Sequence, residues 1–343
     1  MDAGTALILL QDGIVNGAVY ALLALSLVLV FAVTRVIFIP QGEFVAYGAL
    51  TYAALDERRM PGSLWLLAVL GAGACVSGLW SLRRGMSRGA VMWLLAETII
   101  LPGLVIAATL VLASHPIGVA AEATLTLAIV APMAAYLQRI AFQPLREASV
   151  LVLLIAAIGV HLALMGVGLV LFGPEGFRAA GLSSAVLQVG TLMIQGQAIW
   201  IVAVSAGMMA ALFVLFEFTL AGKALRATAV NPLGARLVGI ATDVSGRAAF
   251  VLAGLIGALS GVLIAPLTIV YYDSGFLVGL KGFVAAIVGG LVSYPAAAAA
   301  ALLVGVIESF SSFWASAFKE VIVFSVIVPV LLLRSLRSPS DEE

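Results

Sequence analysis

The stretch SVLVLLIAAIGVHLALMGVGLVLF, residues Ser149–Phe172, decides the fold class, because His161 is its only ionisable side chain. A helix needs about 20 largely apolar residues to cross the ~30 Å hydrocarbon core of a bilayer. The whole chain has the same character: of its 343 residues 63% are hydrophobic and 10% charged, and the mean hydropathy is +1.21. An average soluble protein has about 25% charged residues. The sequence therefore predicts an integral membrane protein.

Comparable apolar runs recur along the chain. Alternating strand-length segments typical of a barrel are absent, so we predict an all-α, polytopic integral membrane helical bundle with about 9–11 transmembrane or re-entrant helices. The second, ninth and tenth segments are short or interrupted by Gly and Pro, which is typical of half-membrane helices. The predicted segments are Thr5–Thr34, Val36–Leu55, Leu64–Leu82, Ala90–Ala113, Val119–Leu137, Ser149–Phe172, Ala198–Leu220, Ala248–Tyr271, Phe276–Leu291, Ala296–Phe313 and Val321–Leu333.

Composition excludes several classes of function. Lys plus Arg and Asp plus Glu each number 17, and no basic patch is present, so no nucleic acid is expected as a partner. One cysteine, Cys75, allows neither an intrachain disulfide nor a thiolate metal cluster. No GxxxxGK[ST] loop and no HExxH motif occur, so we predict no metal, no cofactor and no ATP hydrolysis by this chain. Membrane lipids are the expected surroundings.

The basic residues of the short loops predict the orientation. They gather in four groups that fall on one face of the predicted bundle, and such an excess is typical of the cytoplasmic side. Pro174–Gln197 falls on the other side. The N-terminus is then non-cytoplasmic, provided that Val36–Leu55 crosses the membrane fully. The four groups are Arg83, Arg84 and Arg88; Arg139 and Arg146; Lys223, Arg226, Arg236 and Arg247; and Arg334 and Arg337.

The most informative polar stretch is GKALRATAVNPLGARLVGIATDVSGR, residues 222–247. Asn231 followed by Pro232 indicates a helix start, because Asn caps the free N–H groups and Pro fits the first turn. Leu233, Leu237 and Ile240 recur at helical spacing, which predicts a short amphipathic helix over about Pro232–Gly239 at the cytoplasmic surface. Two interpretations stand equal from the residues alone: a helix resting on lipid headgroups, or a docking element for a cytoplasmic protein.

Three further stretches carry a family resemblance. NGAVYALLALSLVLVFAVTRVIFIPQGEFVAYGAL (Asn16–Leu50) resembles the opening of the LivH-type permease subunits of branched-chain amino acid ABC importers. LQRIAFQPLREASVLVLLIAAIGV (Leu137–Val160) is similar to that family's ER…RPLR segment. Lys281–Phe283, Val288–Gly290 and Glu308 resemble later family elements, in order. Residues 222–247 resemble the family's cytoplasmic coupling loop.

The resemblance implies a single transmembrane permease domain over residues 1–343 in a bacterial inner membrane. It implies four kinds of role around it: two cytoplasmic ABC ATPase subunits, a second related permease subunit, an extracytoplasmic solute-binding protein, and branched-chain or related hydrophobic amino acids as cargo. The coupling loop would dock the ATPase through Arg226, Asn231, Pro232, Leu233, Arg236, Leu237, Gly239 and Ile240.

Two departures from the family pattern stand out. Gln41 replaces a histidine that usually precedes the Gly-Glu pair, and Pro40 predicts a helix break just before Gly42. Leu55 to Gln138 is also longer than usual, so Leu64–Ala113 is expected to contain an added hairpin. Two other classes stay open, an ion-coupled secondary transporter of small polar solutes and a membrane enzyme.

Membrane-embedded polar residues are candidates for the translocation path, because a charge at the bilayer centre costs about 2.5–3.5 kcal/mol on insertion scales. Glu43 can line the path or clamp backbone N–H groups freed by the helix break, and the two interpretations are equal. Glu97 and Glu308 are expected to pair with a basic residue or a partner subunit, and His161 is predicted to be a packing residue. The path candidates are Gln41, Gly42, Glu43, Lys281 and Glu308.

Overall fold

The computed structural model describes residues 2–82, 88–113, 115, 117–183, 185–189, 192–291 and 293–337. Their dominant structure is α-helix, as predicted. The α-helices are α1 (Ala3–Thr34), α2 (Gln41–Asp56), α3 (Ser63–Leu82), α4 (Arg88–Leu95), α5 (Leu101–Leu112), α6 (Val119–Leu137), α7 (Val150–Phe172), α8 (Gly196–Phe218), α9 (Leu220–Val230), α10 (Pro232–Leu237), α11 (Thr242–Ile264), α12 (Ser274–Gly289), α13 (Tyr294–Trp314), α14 (Lys319–Ser325) and α15 (Ile327–Arg337).

The membrane-spanning pattern follows the sequence prediction closely. Each of the eleven predicted segments contains a helix, and within the described ranges nine helices are long and apolar enough to cross a bilayer. A π-helical turn, Ala96–Ile100, joins α4 to α5, and a second, Gln138–Phe142, extends α6, so each pair forms one continuous span. Helices α2 and α12 have 16 residues each and are shorter than a full crossing, as expected for the second and ninth segments.

Three details of the prediction are wrong. The tenth segment is not broken, because Pro295 occupies the first turn, where its missing N–H costs nothing, and α13 runs unbroken for 21 residues. The eighth segment begins earlier and ends earlier than predicted, at Thr242 and Ile264. The polar stretch 222–247 is largely helical rather than a loop with one helix, since it also contains most of α9 and the start of α11.

An extended segment leads into α2. Arg35 ends α1 in a left-handed conformation (φ 62°), and the chain stays non-helical until Pro40, so α2 begins at Gln41 as the Pro40 break predicted. Phe38 is fully buried in this segment, and its ring centroid lies 4.8 Å from that of Phe250. The apolar lead-in therefore places the start of α2 inside the bundle rather than at its surface.

The two ends of the bundle differ in charge. Arg35 and Arg146 lie at one end, beside α10. The far end of α2 lies at the other, where Asp56 Oδ2 accepts from the Ala180 N–H at 2.7 Å. The segment that includes α2 thus crosses the bundle, and α1 begins at the end opposite Arg146. The cytoplasmic assignment of the Arg146 end stays a prediction. Arg83 and Arg84 lie outside the described residues, as do the side chains of Arg334 and Arg337.

Close helix approach at glycines builds the core. A Cβ on Gly261 would lie 2.6 Å from Ala49 N, so α11 and α2 touch through their backbones. Gly17 approaches Leu302 in the same way, which places α1 against α13. Small residues of this kind let membrane helices gain van der Waals contact. Gly257, four residues before Gly261, also packs on α2, since a Cβ on it would lie 2.7 Å from the Phe44 Cβ.

One β-hairpin interrupts the helical pattern. β1 (Val186–Val189) pairs antiparallel with β2 (Leu192–Gln195), with Leu187 opposite Ile194. It lies in the stretch 174–197 that the sequence analysis treated only as a loop. An isolated bridge between Phe177 and Val270 ties the same loop to the segment before α12.

Candidate functional site

Two half-length helices meet inside the bundle. The first turn of α2 packs on the first turn of α12, where a Cβ on Gly275 would lie 2.7 Å from the Gly42 carbonyl carbon. Gln41 Nε2 also donates to the Ala253 carbonyl of α11 at 3.0 Å, about halfway along that helix. Helix N-termini carry a partial positive charge. The arrangement resembles the discontinuous helices that form substrate sites near the bilayer midplane in many transporters.

Glu43 is the acidic side chain of this junction. It is fully buried, and its Oε1 lies 2.9 Å from His161 Nδ1 on α7. The His161 ring stacks on Phe276 of α12, with ring centroids 4.5 Å apart. Oε2 of Glu43 has no hydrogen-bond partner among the described residues. The clamp interpretation, in which Glu43 holds backbone N–H groups, finds no such bond in this part of the chain.

His161 is buried and packed against Phe276, which agrees with its prediction as a packing residue, and it also pairs with Glu43, which was not predicted. Its partner lies 118 positions away in sequence and on another helix, so spacing alone gave no signal. The sequence does contain one indication of this contact. It has an isolated histidine and an isolated carboxylate, each in an apolar span, and such ionisable groups usually pair with each other.

Gln41 completes the α2 junction. Its Oε1 is buried without a partner in the described structure, while the side chain lines a cavity of 40 Å³. The other walls are apolar except for the backbone of Gly279: Leu27, Phe38, Ile39, Phe276, Leu280 and Phe283. Gln41, Gly42 and Glu43, three of the predicted path residues, therefore all lie at the junction of α2 and α12.

Lys281 and Glu308 form a second cluster. Lys281 Nζ lies 2.5 Å from Glu308 Oε1, which confirms the expectation that Glu308 pairs with a basic residue. Tyr20 Oη donates to Glu308 Oε2 at 2.5 Å, and Glu320 Oε1 lies 3.1 Å from Lys281 Nζ. Neither Tyr20 nor Glu320 is among the residues predicted from the sequence. The five path candidates therefore divide into two groups rather than one site.

Glu97 anchors the α3–α5 region to the rest of the bundle. Its Oε2 lies 3.0 Å from Arg247 Nη1 and 3.7 Å from Arg139 Nη2. Tyr136 Oη donates to the backbone carbonyl of Glu97 at 2.6 Å, at a π-helical turn. The expected pairing with a basic residue is confirmed, and it joins the region expected to hold an added hairpin to α6 and α11.

The short surface helix α10 has the predicted capping. Asn231 Oδ1 accepts from the Gly234 N–H at 2.9 Å, and Pro232 occupies the first turn. Gly239 ends the helix with φ 88°, a conformation that favours glycine, and the Ile240 N–H closes the turn onto the Ala235 carbonyl.

The outward face of α10 is apolar. Leu233 is 70% exposed and Leu237 is 81% exposed, whereas Ala235 is buried and Ile240 is half-buried. Arg236 Nε donates to Thr242 Oγ1 at 2.9 Å, which ties α10 to the first residue of α11. Arg226 stands apart on α9, where it pairs with Glu217 at 3.0 Å. Of the predicted loop residues, Leu233, Arg236 and Leu237 therefore share one exposed surface.

Several known transport proteins are similar in sequence to this chain. The family model described as branched-chain amino acid transport system / permease component matches residues 84–333. The chain is similar to the high-affinity branched-chain amino acid transport system permease protein LivH of Salmonella typhimurium, with 32% identity over 206 residues, 57% of this chain and 66% of that protein.

LivH of Escherichia coli K12 is 31% identical over the same shares. BraD of Pseudomonas aeruginosa, also described as a high-affinity branched-chain amino acid transport system permease protein, is 28% identical over 58% of this chain and 67% of its own length. The chain thus matches just under two thirds of the length of the LivH relatives. No solved structure matches it.

Proposed function

The chain belongs to the branched-chain amino acid transport system / permease component family, and from this membership we propose that it is the transmembrane permease subunit of an ABC importer. It forms the translocation path for branched-chain or related hydrophobic amino acids in a bacterial inner membrane. Residues 1–343 act as one permease domain, and residues 222–247 act as its coupling segment.

The proposed assembly has separate parts for energy and selection. Two cytoplasmic ATPase subunits bind and hydrolyse ATP, a second related permease subunit completes the path, and an extracytoplasmic binding protein delivers the solute. This chain contains no phosphate-binding loop, which supports placing hydrolysis in partners. Its own task is to change conformation when the ATPase subunits close.

The observation that carries the proposal is the exposed apolar face of α10. A helix of six residues is too short to be stable by itself in water. Asn231 and Gly239 define its ends, and the Arg236–Thr242 hydrogen bond fixes it to α11. Leu233 and Leu237 make too small an apolar stripe for an interfacial lipid anchor, which typically uses a long amphipathic helix. A short, fixed helix with two exposed leucines is suited to bind in an apolar groove of another protein.

Movement of α10 can reach the buried junction through α11. The first turn of α11 carries Asp243, which pairs with Arg146 at 3.1 Å. This ion pair joins α11, which follows α10, to the segment after α6. Farther along α11, Ala253 accepts from Gln41. A push on α10 is therefore transmitted through one rigid helix to the first turn of α2.

Reconstitution tests the proposal. The chain is placed in proteoliposomes alone, then with the second permease and ATPase subunits, and then with binding protein and ATP. Uptake of radiolabelled leucine is expected only in the complete system and only with hydrolysable ATP. Uptake by this chain alone, driven by a proton or sodium gradient, would instead establish a secondary transporter.

A further inference from the structure

The buried carboxylate of Glu43 is only half satisfied. One oxygen meets His161 Nδ1, and the other has no partner within the described part of the chain. An unpaired buried carboxylate oxygen is costly, because nothing replaces the hydrogen bonds that water supplied. Embedded ionisable residues that persist at such a cost commonly mark a ligand path.

The other paired carboxylates inside the bundle differ in this respect. Glu308 is bound by Lys281 and Tyr20, and Glu97 is bound by Arg139 and Arg247. Glu43 contacts neither a lysine nor an arginine in the described structure; its ring partner, His161, can donate one hydrogen bond while remaining uncharged. A negative charge at Glu43 therefore lacks a permanent counter-ion.

A largely apolar cavity is lined by Phe276, the ring that stacks on His161, and by Gln41, but not by Glu43 itself. Phe276 stacks on His161 with one part of its surface, and it also lines the 40 Å³ cavity together with Leu27, Phe38, Leu280 and Phe283. A carboxylate that can bind a cation and a cavity that can hold an apolar group are thus linked through one aromatic ring, Phe276. A zwitterion with a branched apolar side chain has the complementary shape: an ammonium group a few bonds from a hydrocarbon.

We propose that Glu43 Oε2 binds the α-ammonium group of an amino acid in transit, and that the cavity beyond Phe276 receives its side chain. The inference rests on the proposed permease function and deepens it. A neutral His161 with its proton on Nδ1 donates to Oε1 and holds the carboxylate in one orientation. The incoming ammonium donates to Oε2 and supplies the missing positive charge. The cavity holds about one water-sized group as it stands, so rotation of Phe276 accompanies binding.

The first test compares the affinities of three ligands for the wild-type chain. Binding to the chain in lipid nanodiscs is measured by calorimetry with three probes: L-leucine, isopentylamine, which lacks the carboxylate, and 4-methylpentanoate, which lacks the amino group. Leucine and isopentylamine should bind, and 4-methylpentanoate should bind at least about tenfold more weakly, since a hydrogen bond to a charged group is lost. Equal affinity for leucine and 4-methylpentanoate, or no leucine binding, overturns the proposal.

Variants give the second test. Glu43→Gln keeps the volume but removes the charge, and it should weaken leucine and isopentylamine binding by about tenfold or more while leaving 4-methylpentanoate unchanged. Glu43→Asp should restore part of the difference. Glu122→Gln is the matched control, because Glu122 is also buried but lies in the first turn of α6 and is not one of the residues of the Glu43–His161–Phe276 cluster, and its affinities should equal those of the wild type. If Glu43→Gln does not fold, the wild-type probe series still decides.

Failure of this inference differs from failure of the proposed function. If the complete importer accumulates leucine and Glu43→Gln binds leucine with wild-type affinity, the ammonium site is wrong and the permease function stands. If the wild-type complete importer accumulates no amino acid, the proposed function itself is wrong.

Discussion

Lys281 Nζ lies 2.5 Å from Glu308 Oε1, in a cluster that, with Tyr20 and Glu320, joins four helices of the bundle. Tyr20 on α1 donates to the second oxygen of the same carboxylate. Both charged side chains are more than nine-tenths buried. The pair therefore holds α12 against α13 and α1 where no water can replace a missing partner.

Replacing Lys281 with Met should destabilise the chain severely. Removing one partner of a buried ion pair leaves an uncompensated charge, which costs about 3–5 kcal/mol. Here Glu308 loses its ammonium partner, and Glu320 is left with Lys319 at 3.9 Å. Thermal unfolding of the detergent-purified chain should show a large drop in the unfolding temperature. Lys319→Met is the control, because Lys319 is 39% exposed and lies 3.9 Å from Glu320, so its loss should cost below about 1 kcal/mol. Equal stability of the two variants would contradict the prediction.

Gly261→Ala tests the contact between α11 and α2. The new Cβ would lie 2.6 Å from Ala49 N and 3.0 Å from Gly48 C, and backbone atoms cannot turn aside. Overpacking of this kind typically costs about 1–3 kcal/mol. Gly207→Ala on α8 should instead stabilise the chain, since nothing lies within 4 Å of the new Cβ and alanine favours a helix by about 0.5–1 kcal/mol. Unfolding temperatures of the two variants should therefore move in opposite directions.

The sequence predicts local features of this fold well. Asn231 and Pro232 specify the start of α10 through capping, and Pro40 specifies the start of α2, because both effects depend on neighbouring residues only. The Gly257–Gly261 spacing indicates a close helix contact. It does not reveal that α2 is the partner, since the rotation of a helix that is apolar on all sides carries no signal.

Long-range polar contacts were harder to foresee. Glu43 and His161 are 118 positions apart and Tyr20 and Glu308 are 288 positions apart, and a single sequence gives no information on which spans are neighbours. The hairpin β1–β2 was predictable in part. Val186–Val189 and Leu192–Gln195 are short apolar runs separated by Gly190 and Thr191, which is a hairpin signal.

Glu97→Gln should loosen the α3–α5 region without unfolding the bundle. The charge of Glu97 attracts Arg247 and Arg139, and these side chains remain 13–27% exposed. We expect a loss of about 1–2 kcal/mol, at the low end of hydrogen bonds to charged groups because water still screens the site. Amide hydrogen exchange in residues 88–112 should accelerate about tenfold, while exchange in α1 should not change. Glu57→Gln, which removes an exposed pair with Arg59, is the control. Wild-type exchange in Glu97→Gln would show that the ion pairs do not fix this region.

Variants of α10 should separate docking from folding. Leu237→Ser alters only an exposed side chain, so it should change stability by less than about 0.5 kcal/mol, the usual effect at surface positions. Arg236→Glu also removes the hydrogen bond to Thr242, so it should cost about 0.5–1.5 kcal/mol. Both should nevertheless reduce co-purification of the ATPase subunits and ATP-driven uptake, because a polar or acidic group replaces part of the proposed contact. Gly239 is less suitable, since its φ of 88° would add backbone strain to any substitution.

Lys223→Glu provides the matched control for Arg236→Glu. It makes the same change in charge within the same segment, but on α9 and away from the Leu233–Leu237 face. Uptake by Lys223→Glu should stay near the wild-type level if α10 is the specific contact, and it should fall equally if only the total positive charge attracts the ATPase. Normal ATPase association and uptake in both α10 variants would remove α10 as the docking element, and the exposed leucines would then be assigned to the lipid surface.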